Sequence, residues 1–371
     1  MQKISPTFCP AKWDELFVSH EVNYAYACCK SRPSKFTDNV LEFIDKEKSN
    51  LLNGIQDPSC EYCWKVEKFG SNSLRQQYLE KFDKSKYDQY VTNQVTPTYI
   101  QVSVGNECNF QCTYCNPKFS SKWEEDVRQQ SYKIFTDRFF YSTDPTHNNL
   151  LDNNLNFLKT FNQIENLSII GGEPLLNKQF FKIIDSTTAN TLQITTNLSM
   201  KKSIIDKFLK SCSQFKTIRL GISLDATGKL AEFTRYGLQF DTFVENLNYL
   251  LANKPDNLKI ELNSLMTSIT IRDIEQFSQF IMPDLDKLFL WNIAYCKDPR
   301  IQSLETLPDR FKDQIIQVFT SLLTYKNIEG PAMIIDLLNN VKFNNTLYQE
   351  LKHFLKEFST RKQIEIPICL D

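Results

Sequence analysis

Between residues 96 and 300, six short apolar runs alternate with stretches of helical spacing. The runs occupy 98–104, 166–170, 191–197, 217–224, 258–266 and 287–294. Each is rich in β-branched or large apolar residues, as the buried strands of a parallel sheet are. Between them Leu151, Leu155, Leu158 and Phe161 step by three or four residues, as do Ile205 and Phe208. Phe243, Leu247 and Leu250, and then Ile274, Phe277 and Ile281, continue the pattern. Strands that alternate with helices in this way predict a parallel sheet with right-handed crossovers. The expected fold is α/β, a partial (β/α)6 TIM-like barrel. Sites on such sheets lie at the carboxyl ends of the strands.

The flanks read differently. Residues 1–95 carry five cysteines and little periodicity, and predict a separate cysteine-rich module. Residues 96–300 are the barrel, and 301–371 a helical C-terminal extension. In the extension Phe311, Ile315, Phe319 and Leu322 line one helix face, and Leu347, Leu351, Phe354 and Phe358 line another. These stripes read as core. The net charge of -1 lacks the basic excess usual in nucleic-acid binders. No apolar run approaches the roughly 20 residues that span a bilayer. The first residues, Met1 to Pro6, lack the apolar centre of a signal peptide, so a cytoplasmic location is expected.

Eleven cysteines in a chain expected in a reducing compartment call for a reason other than disulfides. Eight fall within the first 115 residues, in short-spaced groups that suit metal or cluster ligation. Directly after the first predicted strand comes Cys108-Asn109-Phe110-Gln111-Cys112-Thr113-Tyr114-Cys115. Three thiolates can hold three irons of a cubane cluster and leave the fourth open to a small molecule. A zinc site needs a fourth ligand, and neither Cys nor His occurs from 116 to 146.

The C-x3-C-x2-C spacing, with aromatic Tyr114 before its last cysteine, resembles the signature of the radical S-adenosylmethionine (SAM) superfamily. The resemblance implies that Cys108, Cys112 and Cys115 hold a [4Fe–4S] cluster. It also implies that S-adenosylmethionine chelates the open iron and is split to a 5′-deoxyadenosyl radical that takes hydrogen from a substrate. Later segments follow the family's order. Gly171-Gly172-Glu173-Pro174 follows the second strand, where the family holds the amino end of S-adenosylmethionine; glycine permits close backbone approach. Asn197 ends the third strand within a Thr-Thr-Asn run. Ser223 and Asp225 end the fourth, where relatives place polar groups near the ribose hydroxyls; Asp225 can equally cap the next helix. Arg235 stands where relatives meet the methionyl carboxylate, and reads equally as an exposed helix arginine. The fifth strand departs from the pattern, since 262–266 lacks the glycine that many relatives carry near the adenine.

Cys9, Cys28, Cys60 and Cys63 resemble the ligands of SPASM and twitch auxiliary-cluster modules, with Asn23 where glycine is usual and Cys29 beside Cys28. Four cysteines would complete a second [4Fe–4S] cluster or, equally, a structural zinc site. The module precedes the barrel, whereas it usually follows it. Cys212 reads as a buried small hydrophobe. Cys296 ends the sixth strand and faces the expected cavity, and Cys369 is an extra ligand if the tail folds back. His20, His147 and His353 have no ligand spacing. No catalytic side chain is singled out. The expected partners are an external electron donor such as flavodoxin or ferredoxin and a substrate. A peptide or protein side chain is the leading reading for the substrate, with a sugar, nucleotide or cofactor precursor as the alternative. A non-enzymatic cluster- or zinc-binding module is the third.

Overall fold

The structure, a computed structural model, describes residues 3–19, 24–32, 34–35, 42–130, 132 and 164–369. The stripe at 151–161, Asn23, His20 and His147 lie outside the described residues.

Twelve strands organise these residues. They are β1 (Glu15–Val18), β2 (Tyr24–Tyr26), β3 (Ser34–Lys35), β4 (Tyr99–Ser103), β5 (Gln111–Cys112), β6 (Asn166–Ile170), β7 (Thr191–Thr196), β8 (Thr217–Ser223), β9 (Arg235–Tyr236), β10 (Leu258–Met266), β11 (Leu290–Tyr295) and β12 (Ile328–Glu329). The main sheet runs β12-β11-β10-β8-β7-β6-β4-β1-β2-β3. Its centre, β4 through β11, is parallel throughout and contains the six expected strands in chain order. This is the sheet of the partial barrel. The boundaries of β6 and β10 match the sequence reading. β11 starts three residues later, because Met282–Lys287 closes a 3-10 turn that ends on Lys287.

Alternation along these strands separates two faces. Ile100, Val102, Leu167, Ile169, Leu192, Ile194, Ile218 and Leu220 turn to one side and are buried. Helical residues Phe180, Ile183, Phe208, Phe243, Leu250 and Phe277 join them in one core. The other face carries Gln101, Ser168, Gln193 and Arg219, in register across β4 to β8 and opposite Lys259 on β10, with Glu261 and Asn263 further along β10. The apolar richness of these runs thus belongs to the helix side of the sheet.

The flanks join this sheet. β1 pairs parallel with β4, Glu15 opposite Tyr99, and β2 and β3 extend it antiparallel. Residues before 95 also carry a second core of Phe8, Ala11, Trp13, Leu51, Tyr87 and Tyr90. Phe8 meets Tyr87 and Tyr90 edge-on at 4.9 and 5.6 Å between ring centroids. β12, in the helical extension, adds to β11. The extension's helices run Lys312–Leu322, Pro331–Asn340 and Asn345–Lys362. Ile315, Phe319, Leu322, Leu347, Leu351, Phe354 and Phe358 are buried on them.

Candidate functional site

The loop that leaves β4 carries Cys108, Cys112 and Cys115, all half-buried. Its backbone is held on several sides. The Ser121 hydroxyl accepts the Cys108 N–H at 3.1 Å and donates to the Cys108 carbonyl at 3.3 Å. The Trp123 indole N–H donates to the Cys112 carbonyl at 2.8 Å. β5, which contains Cys112, pairs antiparallel with β9, and the Thr113 N–H reaches the Thr234 carbonyl at 2.8 Å. Gln302 donates to the Thr113 carbonyl at 2.6 Å. Phe110 N–H points at the Cys108 sulfur at 3.4 Å, the kind of contact a thiolate accepts.

The Gly-Gly-Glu-Pro turn after β6 rests directly on this loop. Gly172 N–H donates to the Gly105 carbonyl at 2.9 Å, and Glu173 N–H to the Glu107 carbonyl at 2.8 Å. A Cβ on Gly172 would come within 2.4 Å of the Glu107 carbonyl oxygen, and one on Gly171 within 2.7 Å of the Gly105 oxygen. Both glycines are therefore required by the approach of the cysteine loop itself. Pro174 opens a one-turn 3-10 helix, Pro174–Leu176. The Glu173 carboxylate ties the turn to the end of β7. It accepts from Thr196 Oγ1 at 2.8 Å, Asn197 N–H at 2.6 Å and Leu175 N–H at 3.2 Å. Burial pushes its pKa up to about 7 against these donors and the Arg235 charge. Asn197 in turn donates to Asn109 at 2.7 Å, on the cysteine loop.

Asp225 and Arg235, ten residues apart, form a buried ion pair. Arg235 Nε meets Asp225 Oδ2 at 2.9 Å and Nη2 meets Oδ1 at 3.2 Å. The Tyr114 hydroxyl also donates to Asp225 Oδ2, and the Leu265 N–H donates to Oδ1 at 2.7 Å. The Asp225 carboxylate is thus filled by protein donors, and it caps no helix. Arg235 is 7% exposed, not a surface arginine, and its Nη1 has no hydrogen-bond partner among the described residues. Ser223 is half-buried at the end of β8.

The same guanidinium acts on the thiols. Burial raises the Cys108 thiol to about 12 and raises Cys112 and Cys115 as well, while the Arg235 charge pulls all three down. A cation behind three thiols favours their thiolate forms, which cluster ligation requires. Among the described residues no three or more His, Cys, Asp or Glu side chains stand close enough to hold a single metal ion. A cubane meets its ligands at separate irons, so three half-buried thiols on one loop, backed by a buried cation, fit a cluster better than an ion.

The N-terminal cysteines form a second gathering. Cys9, Cys28 and Cys63 are buried and Cys60 is half-buried. The charges of Cys60 and Cys63 reach Cys9, and that of Cys9 reaches Cys28. Lys12, 1% exposed, lies among them, its ammonium on Glu47 at 2.5 Å and Ser59 at 3.2 Å, with Ser31 also accepting. Arg75 holds the chain just before Cys9, donating to the Phe8 carbonyl at 3.1 Å. Cys29 is exposed. The remaining cysteines stand apart from both groups: Cys212 is buried against the Phe208 carbonyl, Cys369 is exposed, and Cys296 is 1% exposed with its thiol on the Asp298 carbonyl at 3.4 Å. Cys296 therefore does not face an open cavity.

Residues 102–281 match the family model described as the radical SAM superfamily. The chain carries a radical SAM domain. Its relatives include the GTP 3′,8-cyclase of Campylobacter lari, 23% identical over 263 residues that span 66% of this chain and 70% of that one. The GTP 3′,8-cyclase of a Helicobacter pylori strain is 24% identical over 253 residues, 66% of this chain and 71% of the relative. A solved structure described as native anSMEcpe with bound AdoMet is similar at a TM-score of 0.43 and 17% identity, over 62% of this chain and 63% of that one. The protein is a radical SAM enzyme, with a [4Fe–4S] cluster and S-adenosylmethionine as its cofactors.

The sequence did not single out Trp123, Lys12, Gln302 or the polar sheet face. The last had a visible signal. Arg219, Gly221 and Ser223 alternate with Ile218, Leu220 and Ile222, a period of two within the run 217–224.

Proposed function

We propose that this enzyme directs the 5′-deoxyadenosyl radical at a small polar molecule of the nucleotide class, in preference to a peptide side chain. The observation that carries the reading is the polar sheet face below the cysteine loop, lined by amide, hydroxyl and charged groups. The relatives named GTP 3′,8-cyclase support the same class. Cys108, Cys112 and Cys115 would hold the cluster, which when bound would supply the electron for cleavage of S-adenosylmethionine. The chain's own part is placement. Glu173 keeps one carboxylate position beyond its three protein donors, and Arg235 Nη1 and the Ser223 hydroxyl are the polar groups left for the cofactor. Gly171, Gly172, Pro174 and Asn197 set the turn against the loop, and Tyr114 holds Asp225.

Residues 1–95 serve in this proposal as an auxiliary-cluster module, in which Cys9, Cys28, Cys60 and Cys63 hold a second [4Fe–4S] cluster and Lys12 offsets its thiolate charge. The electron donor is a flavodoxin- or ferredoxin-type protein. Among the described residues no helix is long and apolar enough to cross a membrane. The test is anaerobic: the reconstituted enzyme is given reductant, S-adenosylmethionine and either nucleoside triphosphates or short peptides. Formation of 5′-deoxyadenosine above the substrate-free rate is expected with a nucleotide. Stimulation by peptides alone would return the substrate to the peptide class.

A further inference from the structure

The polar face of the sheet holds a recess of about 160 Å3, lined by Gln193, Thr195, Arg219, Gly221, Glu261 and Asn263. Its charged floor is built by register. Arg219 on β8 stands opposite Lys259 on β10, and Gly221 opposite Glu261 two residues on. In a parallel pair, opposed residues share a face, so two cations and one carboxylate stand on the same side of the sheet, with Arg219 and Glu261 in the lining of the recess and Lys259 outside it. Glu261 accepts from Arg219 Nε at 2.5 Å. That contact fixes the guanidinium plane and leaves both Nη nitrogens without a hydrogen-bond partner among the described residues. Lys259 is exposed and likewise has none. A glycine at 221 keeps the wall open: a Cβ there would lie 2.1 Å from Asn263 Nδ2.

A guanidinium with its Nε tied down and its two Nη groups unpaired among the described residues has the donors to fork onto a phosphate or carboxylate. Arg219 and Glu261 cancel within the recess, and Lys259 on the same side of the sheet makes the three-residue group positive. At the next level the groups change to amides: Asn263 and Asn292 are opposed on β10 and β11 and lie within 3.5 Å. Four residues of strand separate Arg219 from Ser223 at the carboxyl end of β8, a rise of roughly 13 Å. A molecule anchored on Arg219 must therefore be long enough to present its reacting carbon near the cysteine loop. The recess is too small for a whole ligand of that length and takes one end of it.

We propose that Arg219 and Lys259 form the anchor for the phosphate end of a phosphorylated small-molecule substrate, oriented by Glu261, with the amides above reading its polar body. The proposal rests on the small-molecule reading of the site and adds its charge and orientation. It concerns substrate placement, and neither residue touches the cluster.

The test measures equilibrium binding to the anaerobically reconstituted enzyme with S-adenosylmethionine present. The probes are GTP, guanosine and inorganic tripolyphosphate, and the variants Arg219→Gln, Arg219→Lys and Lys259→Gln. Iron content and circular dichroism establish that each variant is folded and loaded. GTP and tripolyphosphate are expected to bind, guanosine to bind far more weakly, and Arg219→Gln to weaken both phosphates roughly tenfold to a hundredfold. Lysine at 219 should restore part of that loss and Lys259→Gln should give a smaller one, so the anchor stays testable if Arg219→Gln does not fold. Tripolyphosphate binding that depends on Arg219, without GTP binding, would retain the anchor and overturn the nucleotide class. GTP binding that is indifferent to all three variants, or matched by guanosine, would overturn the anchor and leave the nucleotide class standing. Binding of neither phosphate would overturn both.

Discussion

Gly172 and Asp225 show how single residues hold the site. A methyl group at 172 would meet backbone, not a flexible side chain, so either the turn or the cysteine loop must move. Gly172→Ala is expected to keep its circular dichroism but to lose most of its cluster iron on desalting; full iron retention would contradict the close approach. Asp225→Asn removes the charge that Arg235 faces at 2.9 Å in a buried position. Stranding a buried cation costs about 3–5 kcal/mol, which denaturant unfolding of the apo-protein would read. Residues of this kind were legible to different depths. The cysteine triplet declared itself, because its spacing and chemistry allow few readings. The glycines were legible as a close approach, but what approaches is the protein's own loop. The pairing of Asp225 with Arg235 was not legible, because ten residues of separation says nothing about contact once a helix and a turn intervene.

At the scale of elements, the helix Asn345–Lys362 braces the cysteine loop from outside. Phe358, fully buried, has its ring 5.7 Å from that of Trp123 and 5.8 Å from Tyr236. Lys362 meets Asp126 at 3.2 Å, and Asp126 also holds Gln111 at 2.6 Å. Phe358→Ala is expected to cost about 3–5 kcal/mol in a core of this kind and to raise cluster loss in proportion. β1 gives a pH dependence. Burial pushes the Glu15 carboxyl from 4.5 to about 7, although the Tyr78 hydroxyl donates to it and pulls the other way. Between those values the folded protein binds more protons than the unfolded one, so stability falls as pH rises through that window. The slope reaches at most about 1.4 kcal/mol per pH unit, and Glu15→Gln should flatten it. Equal slopes in the two proteins would refute the assignment. The six central strands were legible because short apolar runs between helical spacings allow little else. β1 and β12 were not, since four and two residues carry no periodicity and both join the sheet only through partners far along the chain.

For the whole molecule, one sheet carries both cysteine groups. The cysteine loop leaves β4, and the neighbouring β1 follows the helical turn Ala11–Asp14, which begins two residues after Cys9. The sheet turns its apolar side to the helices and its polar side to the recess. In the proposed reading that division lets the recess hold the far end of a polar substrate while its reacting end lies toward the cysteine loop. The central claim is that this architecture performs reductive cleavage of S-adenosylmethionine. The direct measurement reconstitutes the protein anaerobically with iron and sulfide, counts iron, and adds dithionite, S-adenosylmethionine and a nucleotide. The readout is 5′-deoxyadenosine, in the unmodified protein and in Cys112→Ala. The account predicts roughly eight irons per chain, as two cubanes require, and nucleoside formation that disappears in the variant. Roughly four irons with the same activity would remove the auxiliary cluster and keep the enzyme. No nucleoside from a fully loaded protein, with nucleotide or peptide, would contradict the account.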